Sequence, residues 1–246
     1  MRYLILSDIH GNLQALESVL AAVPDWDRLL VLGDLVGYGA QPNEVVDRIR
    51  ALEPQAIVRG NHDKVAAGLE NADTFNPAAR GAALWTASVL SEENRAYLAG
   101  LPMGPVLVDD LVEICHGSPR DEDAYIFGEG DLAEAFASLR RPVCFFGHTH
   151  YPMAVTLTPE GELDMIRQGA GDQPAVPLEG RGRLLVNPGA VGQPRDGDPR
   201  AACALLDTGE GEVRLLRIPY PAEEAHDRIL ATGLPRVLAQ RLLVGR

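Results

Sequence analysis

The chain has 246 residues, 46% of them hydrophobic, enough to bury a core without disulfide staples. Its formal net charge of −13 argues against a nucleic-acid polymer or an anionic membrane as partner, because such binders neutralise phosphates with clustered Lys and Arg. No run approaches the roughly 20 apolar residues of a membrane span, and Met1 leads directly into an apolar segment with no basic leader, so a cytoplasmic location is expected.

In chain order, apolar runs that read as strands alternate with helical stripes, the pattern of an α/β fold. Residues 3–6 lead to Asp8-Ile9-His10, and Leu13, Leu16, Leu20 and Val23 then form one helical stripe. Residues 29–32 lead to Gly33-Asp34, followed by a stripe of Val45, Val46, Ile49 and Leu52. Residues 56–58 lead to Gly60-Asn61-His62-Asp63, 111–114 to Cys115-His116-Gly117, and 143–146 to Gly147-His148-Thr149-His150. Five of the six histidines lie in these strings. The polar strings are expected to emerge at the same ends of one sheet, where a rigid scaffold positions loop residues.

The segment 64–100 reads as a helical insert, with Pro77 starting one helix and Ser91 capping the next. It either caps the site, with Trp85 and Tyr97 as test positions, or simply packs. After His150 the runs 153–157 and 163–166 form a hairpin, and 184–187, 201–206 and 213–218 add strands of a second sheet. Residues 222–243 are helical with a break at Gly233-Leu234-Pro235, and His226 is expected to face solvent there. Since the ligand strings must converge, residues 1–246 read as one domain. The cysteines Cys115, Cys144 and Cys203 are expected to be buried thiols, with Cys115 pointing away from the face that His116 presents.

Asp8-x-His10, Gly33-Asp34, Gly60-Asn61-His62-Asp63, His116 and Gly147-His148-x-His150 resemble the calcineurin-like metallophosphoesterases. Asn187-Pro188-Gly189-Ala190-Val191-Gly192-Gln193-Pro194-Arg195 is similar to the closing loop of that family's small bacterial phosphoesterase branch. The resemblance runs from Ser7 to about Gly197 and implies a four-layer αββα sandwich of two mixed sheets flanked by helices. It also implies two divalent metals. Asp8, His10 and His150 would serve one, Asn61, His116 and His148 the other, with Asp34 between them.

Carboxylate and imidazole ligands suit Mn, Fe, Zn, Co or Ni better than calcium, with Mn the expected ion in vitro. The implied chemistry is hydrolysis of a small phosphodiester or phosphomonoester by a metal-bridging hydroxide. His62 would be the general acid and Asp63 would orient it. The family's protein Ser/Thr phosphatases carry an Asp three residues after the bridging Asp. Here that position is Gly37, which argues against a protein phosphatase.

Arg59 is either a phosphate contact or one half of a surface ion pair, and Arg195 either a substrate contact or a loop brace. Asn12 is either a substrate contact or a helix cap. The competing functions are a protein or dinucleoside-polyphosphate phosphatase, and a protein-binding scaffold on the same fold. A protein partner is not specified by the sequence.

Overall fold

Strand β1 (Arg2–Leu6) buries both of its faces. Tyr3 and Ile5 enter one apolar cluster, while Leu4 and Leu6 enter another, so this strand has a sheet on one side and helices on the other. The computed structural model describes residues 1–168, 173–180 and 182–246. Chain order continues with α1 (Leu13–Ala22), β2 (Arg28–Val31), α2 (Pro42–Ala51), β3 (Ala56–Ile57), α3 (Asn61–Ala67), α4 (Pro77–Val89) and α5 (Glu92–Ala99). There follow β4 (Val106–Leu107), β5 (Val112–Ile114), α6 (Glu129–Ser138), β6 (Val143–Phe145), β7 (Met153–Leu157), β8 (Leu163–Arg167), β9 (Ala175–Pro177) and β10 (Arg183–Asn187). β11 (Ala201–Asp207), β12 (Glu212–Ile218), α7 (Ala222–Thr232) and α8 (Arg236–Leu242) complete it.

Two mixed sheets result, in the orders β3-β2-β1-β11-β12-β9 and β4-β5-β6-β10-β7-β8. Their facing sides interdigitate Tyr3, Ile5 and Leu30 from one with Ile114, Phe145 and Val186 from the other. Leu16 and Val19 of α1 and Val45, Val46 and Ile49 of α2 cover the first sheet. Leu132, Ala135 and Phe136 of α6 cover the second. The four layers are therefore αββα.

The strands that carry the polar strings do not share one sheet, contrary to the expectation from sequence. β1, β2 and β3 lie in the first sheet, β5 and β6 in the second, and the late strands divide between both. A run buried on both faces has no side-chain period that tells which sheet it joins. Three elements escape the sequence reading. β4 and β9 are very short, and α6 (Glu129–Ser138) presents mainly alanine around Leu132 and Phe136.

The three cysteines are buried and free, and Cys115 packs in the outer cluster with α6 while His116 turns to the other side. His226 is largely covered rather than solvent-facing, with Nδ1 2.8 Å from Asp227. Helices α4, α7 and α8 pack together around Tyr38.

Candidate metal centre

The polar strings meet because the parallel strands of both sheets end at the same edge. Asp8 and His10 leave β1, Asp34 leaves β2, Asn61 and His62 open α3, His116 leaves β5, and His148 and His150 leave β6. Among the described residues seven non-glycines have left-handed backbone, and six of them are Asp8, His10, Tyr38, Asp34, His148 and His150. Such a conformation costs roughly 1–2 kcal/mol per residue, so the surroundings must impose it. Backbone bonds do so, among them Asp8 N–H to Gly33 O and His10 N–H to Asp34 O.

Asp8, His10, Asp34 and His150 bring one ligand atom each within 4.8 Å of one another, and Asp34, His116 and His148 do the same. Asp34 is common to both groups. Its Oδ2 lies 3.6 Å from Nε2 of His10 and 3.6 Å from Nε2 of His116, while Oδ1 accepts from the His62 N–H. Gly60 is required beside it, since a Cβ there would lie 2.0 Å from Asp34 Oδ1. Asn61 joins through its Oδ1, 3.3 Å from His116 Nε2.

The imidazoles are oriented by backbone carbonyls. Nδ1 of His10 lies 2.9 Å from Val36 O, that of His116 2.7 Å from Leu32 O, and that of His150 2.6 Å from Gln193 O. Each contact fixes Nδ1–H as donor and leaves Nε2 as a ligand, the outer-shell arrangement usual for metal-binding histidines. Oδ2 of Asp8 is occupied by the Ser7 hydroxyl and the His148 N–H, whereas Asp8 Oδ1, which faces His150 Nε2 at 3.2 Å, and His148 Nε2 are buried without a donor or acceptor in hydrogen-bonding geometry among the described residues. Buried polar atoms are rarely left so. Converging acceptors of this kind fit divalent cations.

The electrostatics agree. Burial lowers the pKa of His10, His148 and His150, with His148 pushed down to about 2, so these rings are neutral and free to ligate; burial works to lower His116 as well, but Asp34 and Asp8 raise it. Burial raises Asp34 well above the usual carboxylate range. Burial also works to raise Asp8, but its contacts with the surrounding imidazoles, His150 Nε2 at 3.2 Å foremost, hold it below the usual carboxylate range. A cation at such a place inverts the penalty on buried carboxylates.

A cleft of about 560 Å³ opens over Asp34, Asn61 and His148 and is walled by His62, Tyr125 and Arg195. Its far side is lined by Phe75 and Asn76, so the insert reaches the cleft through the stretch before α4. Trp85 and Tyr97 are not in its lining: Trp85 packs against the cluster around Tyr38, and Tyr97 against the core that α1 and α2 share with the first sheet.

One expected contact is corrected, and two residues take the second of the two roles expected for them. Asp63 does not hold the His62 ring: its carboxylate accepts from the Gly60 N–H at 3.0 Å and the Val36 N–H at 3.2 Å, bracing the loop after Asp34. Arg59 forms a two-pronged ion pair with Glu122 at 3.0 and 2.9 Å outside the cleft lining. Asn12 caps α1 through Ala15 N–H and donates to Gly192 O, which uses both ends of its amide.

Arg195 does line the cleft, with Nη2 3.3 Å from the Tyr38 hydroxyl and a buried Nε that has no partner. Sequence reasoning missed Tyr38, Phe75 and Tyr125. Tyr38 carried a signal, a bulky residue between Gly37 and Gly39. The other two sit in loops with no pattern.

The sequence profile of the calcineurin-like phosphoesterase superfamily domain matches residues 1–211. The fold is similar to that of a metallophosphoesterase from Sphaerobacter thermophilus, 38% identical, with a TM-score of 0.89 over 100% of this chain and 99% of that one. An uncharacterized protein of Methanocaldococcus jannaschii is 33% identical over 258 aligned positions, covering 98% of this chain and 97% of the relative. The phosphodiesterase YfcE of Escherichia coli is 28% identical over 220 positions, covering 84% and 88%. Matched along most of its length, with paired ligand groups at the shared sheet edge, the chain belongs to the calcineurin-like phosphoesterase superfamily of metal-dependent phosphoester hydrolases.

Proposed function

We propose that the chain hydrolyses a small phosphodiester or phosphomonoester at a dinuclear centre, with His62 as general acid. Asp8, His10 and His150 would hold one ion, Asn61, His116 and His148 the other, and Asp34 both. The observation that carries this reading is the position of Asp34, whose Oδ2 is equidistant from the Nε2 atoms of His10 and His116. When bound, a pair of divalent ions supplies charge neutralisation at the phosphoryl oxygens and activation of an attacking water.

The protein's own side chains then divide the remaining work. Arg195 lines the cleft, its Nη2 3.3 Å from both the Tyr38 hydroxyl and Gln193 Oε1, and its guanidinium would hold a phosphoryl oxygen. Burial, then Arg195 and the neighbouring histidines, keep the His62 imidazole neutral on its own. An anionic phosphoester beside Arg195 would offset the arginine's charge and favour the protonated ring, which would then give its proton to the leaving oxygen. Gly37 and the 28% identity to a phosphodiesterase support a small ester over a phosphoprotein.

The test is a panel of bis-p-nitrophenyl phosphate, p-nitrophenyl phosphate, diadenosine tetraphosphate and a phosphopeptide, assayed with Mn, Co, Ni, Zn or Fe(II). The small esters are expected to be hydrolysed fastest, with Mn supporting turnover. Absence of hydrolysis with every ion would sink this reading.

A further inference from the structure

Isolated exposed aromatics need no explanation, but three in a row that begin on a metal-facing imidazole do. The Tyr125 ring stacks on His148 at 3.8 Å between centroids and 22° between planes. Phe127 stacks on Tyr125 at 5.3 Å and 13°, and Tyr151 meets Phe127 edge-on at 6.4 Å. Tyr125, Phe127 and Tyr151 are 46%, 57% and 41% exposed. Hydrolysis of the phosphoryl bond does not itself require this row.

The loop that presents Tyr125 is built to hold still. Glu122 is gripped by Arg59 and by Lys64, whose ammonium also meets Asp123 at 2.5 Å and Glu70 at 3.0 Å. Lys64 is almost fully buried, two residues after His62 on α3. Gly117 lets the loop close on itself, because a Cβ there would lie 2.6 Å from Glu122 O. The row also leads somewhere. Phe127 and Tyr151 line a second cleft of about 560 Å³, with Arg167 and Asp196 on its walls, within the usual range for a small-molecule pocket.

We propose that Phe127 and Tyr151, joined to the metal-facing His148 through the Tyr125 ring stacked on both His148 and Phe127, form a stacking platform for a nucleobase carried by the substrate, which makes the substrate class a nucleoside phosphoester. This rests on the phosphoesterase reading above. Tyr125 lines the metal cleft and Phe127 the second one, so a base on the platform is covalently within reach of a phosphoryl group beside Arg195. Stacking of this kind tolerates any base, since every base has a π-face.

The test is calorimetric titration of the Mn-loaded full chain with the non-hydrolysable phosphonate analogues of AMP and of ribose 5-phosphate, which share the phosphonate and differ in the base. Wild type is expected to bind the AMP analogue about 5- to 100-fold more tightly, the usual range for one base on an aromatic ring. Phe127→Ala and Tyr151→Ala should each lower that ratio, and Phe127→Trp should keep it. A wild-type ratio near one, or a ratio unmoved in both alanine variants, overturns the platform alone. If neither compound binds, the phosphoesterase reading falls with it.

Discussion

A Cβ on Gly37 would lie 2.4 Å from Nδ1 of His62, so the imidazole lies directly against the Gly37 backbone, and that nitrogen has no hydrogen-bond partner. The ring itself fills the space in which a side chain at position 37 would stand. Tyr38 and Phe75 hold it instead, with ring centroids 4.4 and 4.7 Å away. Orientation by packing replaces orientation by a carboxylate, and Asp63 is left to brace backbone.

His62→Asn should therefore retain both metals by elemental analysis while kcat falls about 10²- to 10⁴-fold, the usual worth of general-acid help. The loss should be larger for an alkyl leaving group than for p-nitrophenolate. Gly37→Ala should mimic it, because the added methyl displaces the ring and the backbone there has φ of +90°. Equal turnover in His62→Asn and wild type would remove the assignment.

Asp34 is the side chain shared by the two ligand groups, so Asp34→Asn should weaken both sites together. Elemental analysis of reconstituted protein should show metal falling from two ions toward none, whereas His148→Ala should spare the site of Asp8, His10 and His150. Chelation should lower Tm in wild type, since a ligand at about 100 times its Kd contributes ~2.7 kcal/mol. A Tm shift that survives unchanged in Asp34→Asn would contradict a shared carboxylate.

The two arginines separate phosphate binding from bracing. Arg195→Ala should reduce kcat/KM about 10- to 100-fold, the loss of a hydrogen bond to a charged group. Arg59→Ala removes a partly buried pair with Glu122 and should cost about 1–3 kcal/mol of stability with a smaller change in kcat/KM. Urea denaturation beside steady-state kinetics distinguishes them, and the reverse ordering would exchange their roles.

The candidate ligands were legible because Asp8, His10, Asp34, Asn61, His116, His148 and His150 each follow an apolar run that ends in a sharp turn. What orients them was not, since Val36, Leu32 and Gln193 act through backbone carbonyls that any residue carries. Arg59 and Arg195 look alike in sequence. Their difference is made by Glu122, far from Arg59 along the chain. Sheet membership was hidden for β5 and β6 because burial on both faces erases the alternation. Tyr125 and Phe75 lie in irregular segments where position follows from the fold alone.

One bond between the two sheets sets a pH signature. The Tyr3 hydroxyl on β1 donates to Asp109 at 2.6 Å, next to β4 and β5. Burial and this bond push Tyr3 up to about 12. Burial alone would raise Asp109, but the bond from Tyr3 and the N–H groups of Val112 and Leu111 hold it below its ordinary value. The carboxylate therefore contributes stability that is present above the unfolded Asp pKa near ~3.9 and lost as pH falls through its lower folded value. The phenol contributes stability that is present below ~10 and lost as pH rises through about 12. Tyr3→Phe should lower stability across the plateau by ~1–3 kcal/mol, flatten the alkaline fall and make the acid fall shallower. Thermal melts from pH 3 to pH 11 in both proteins check this, and parallel curves for the two would show that the bond does not couple the sheets.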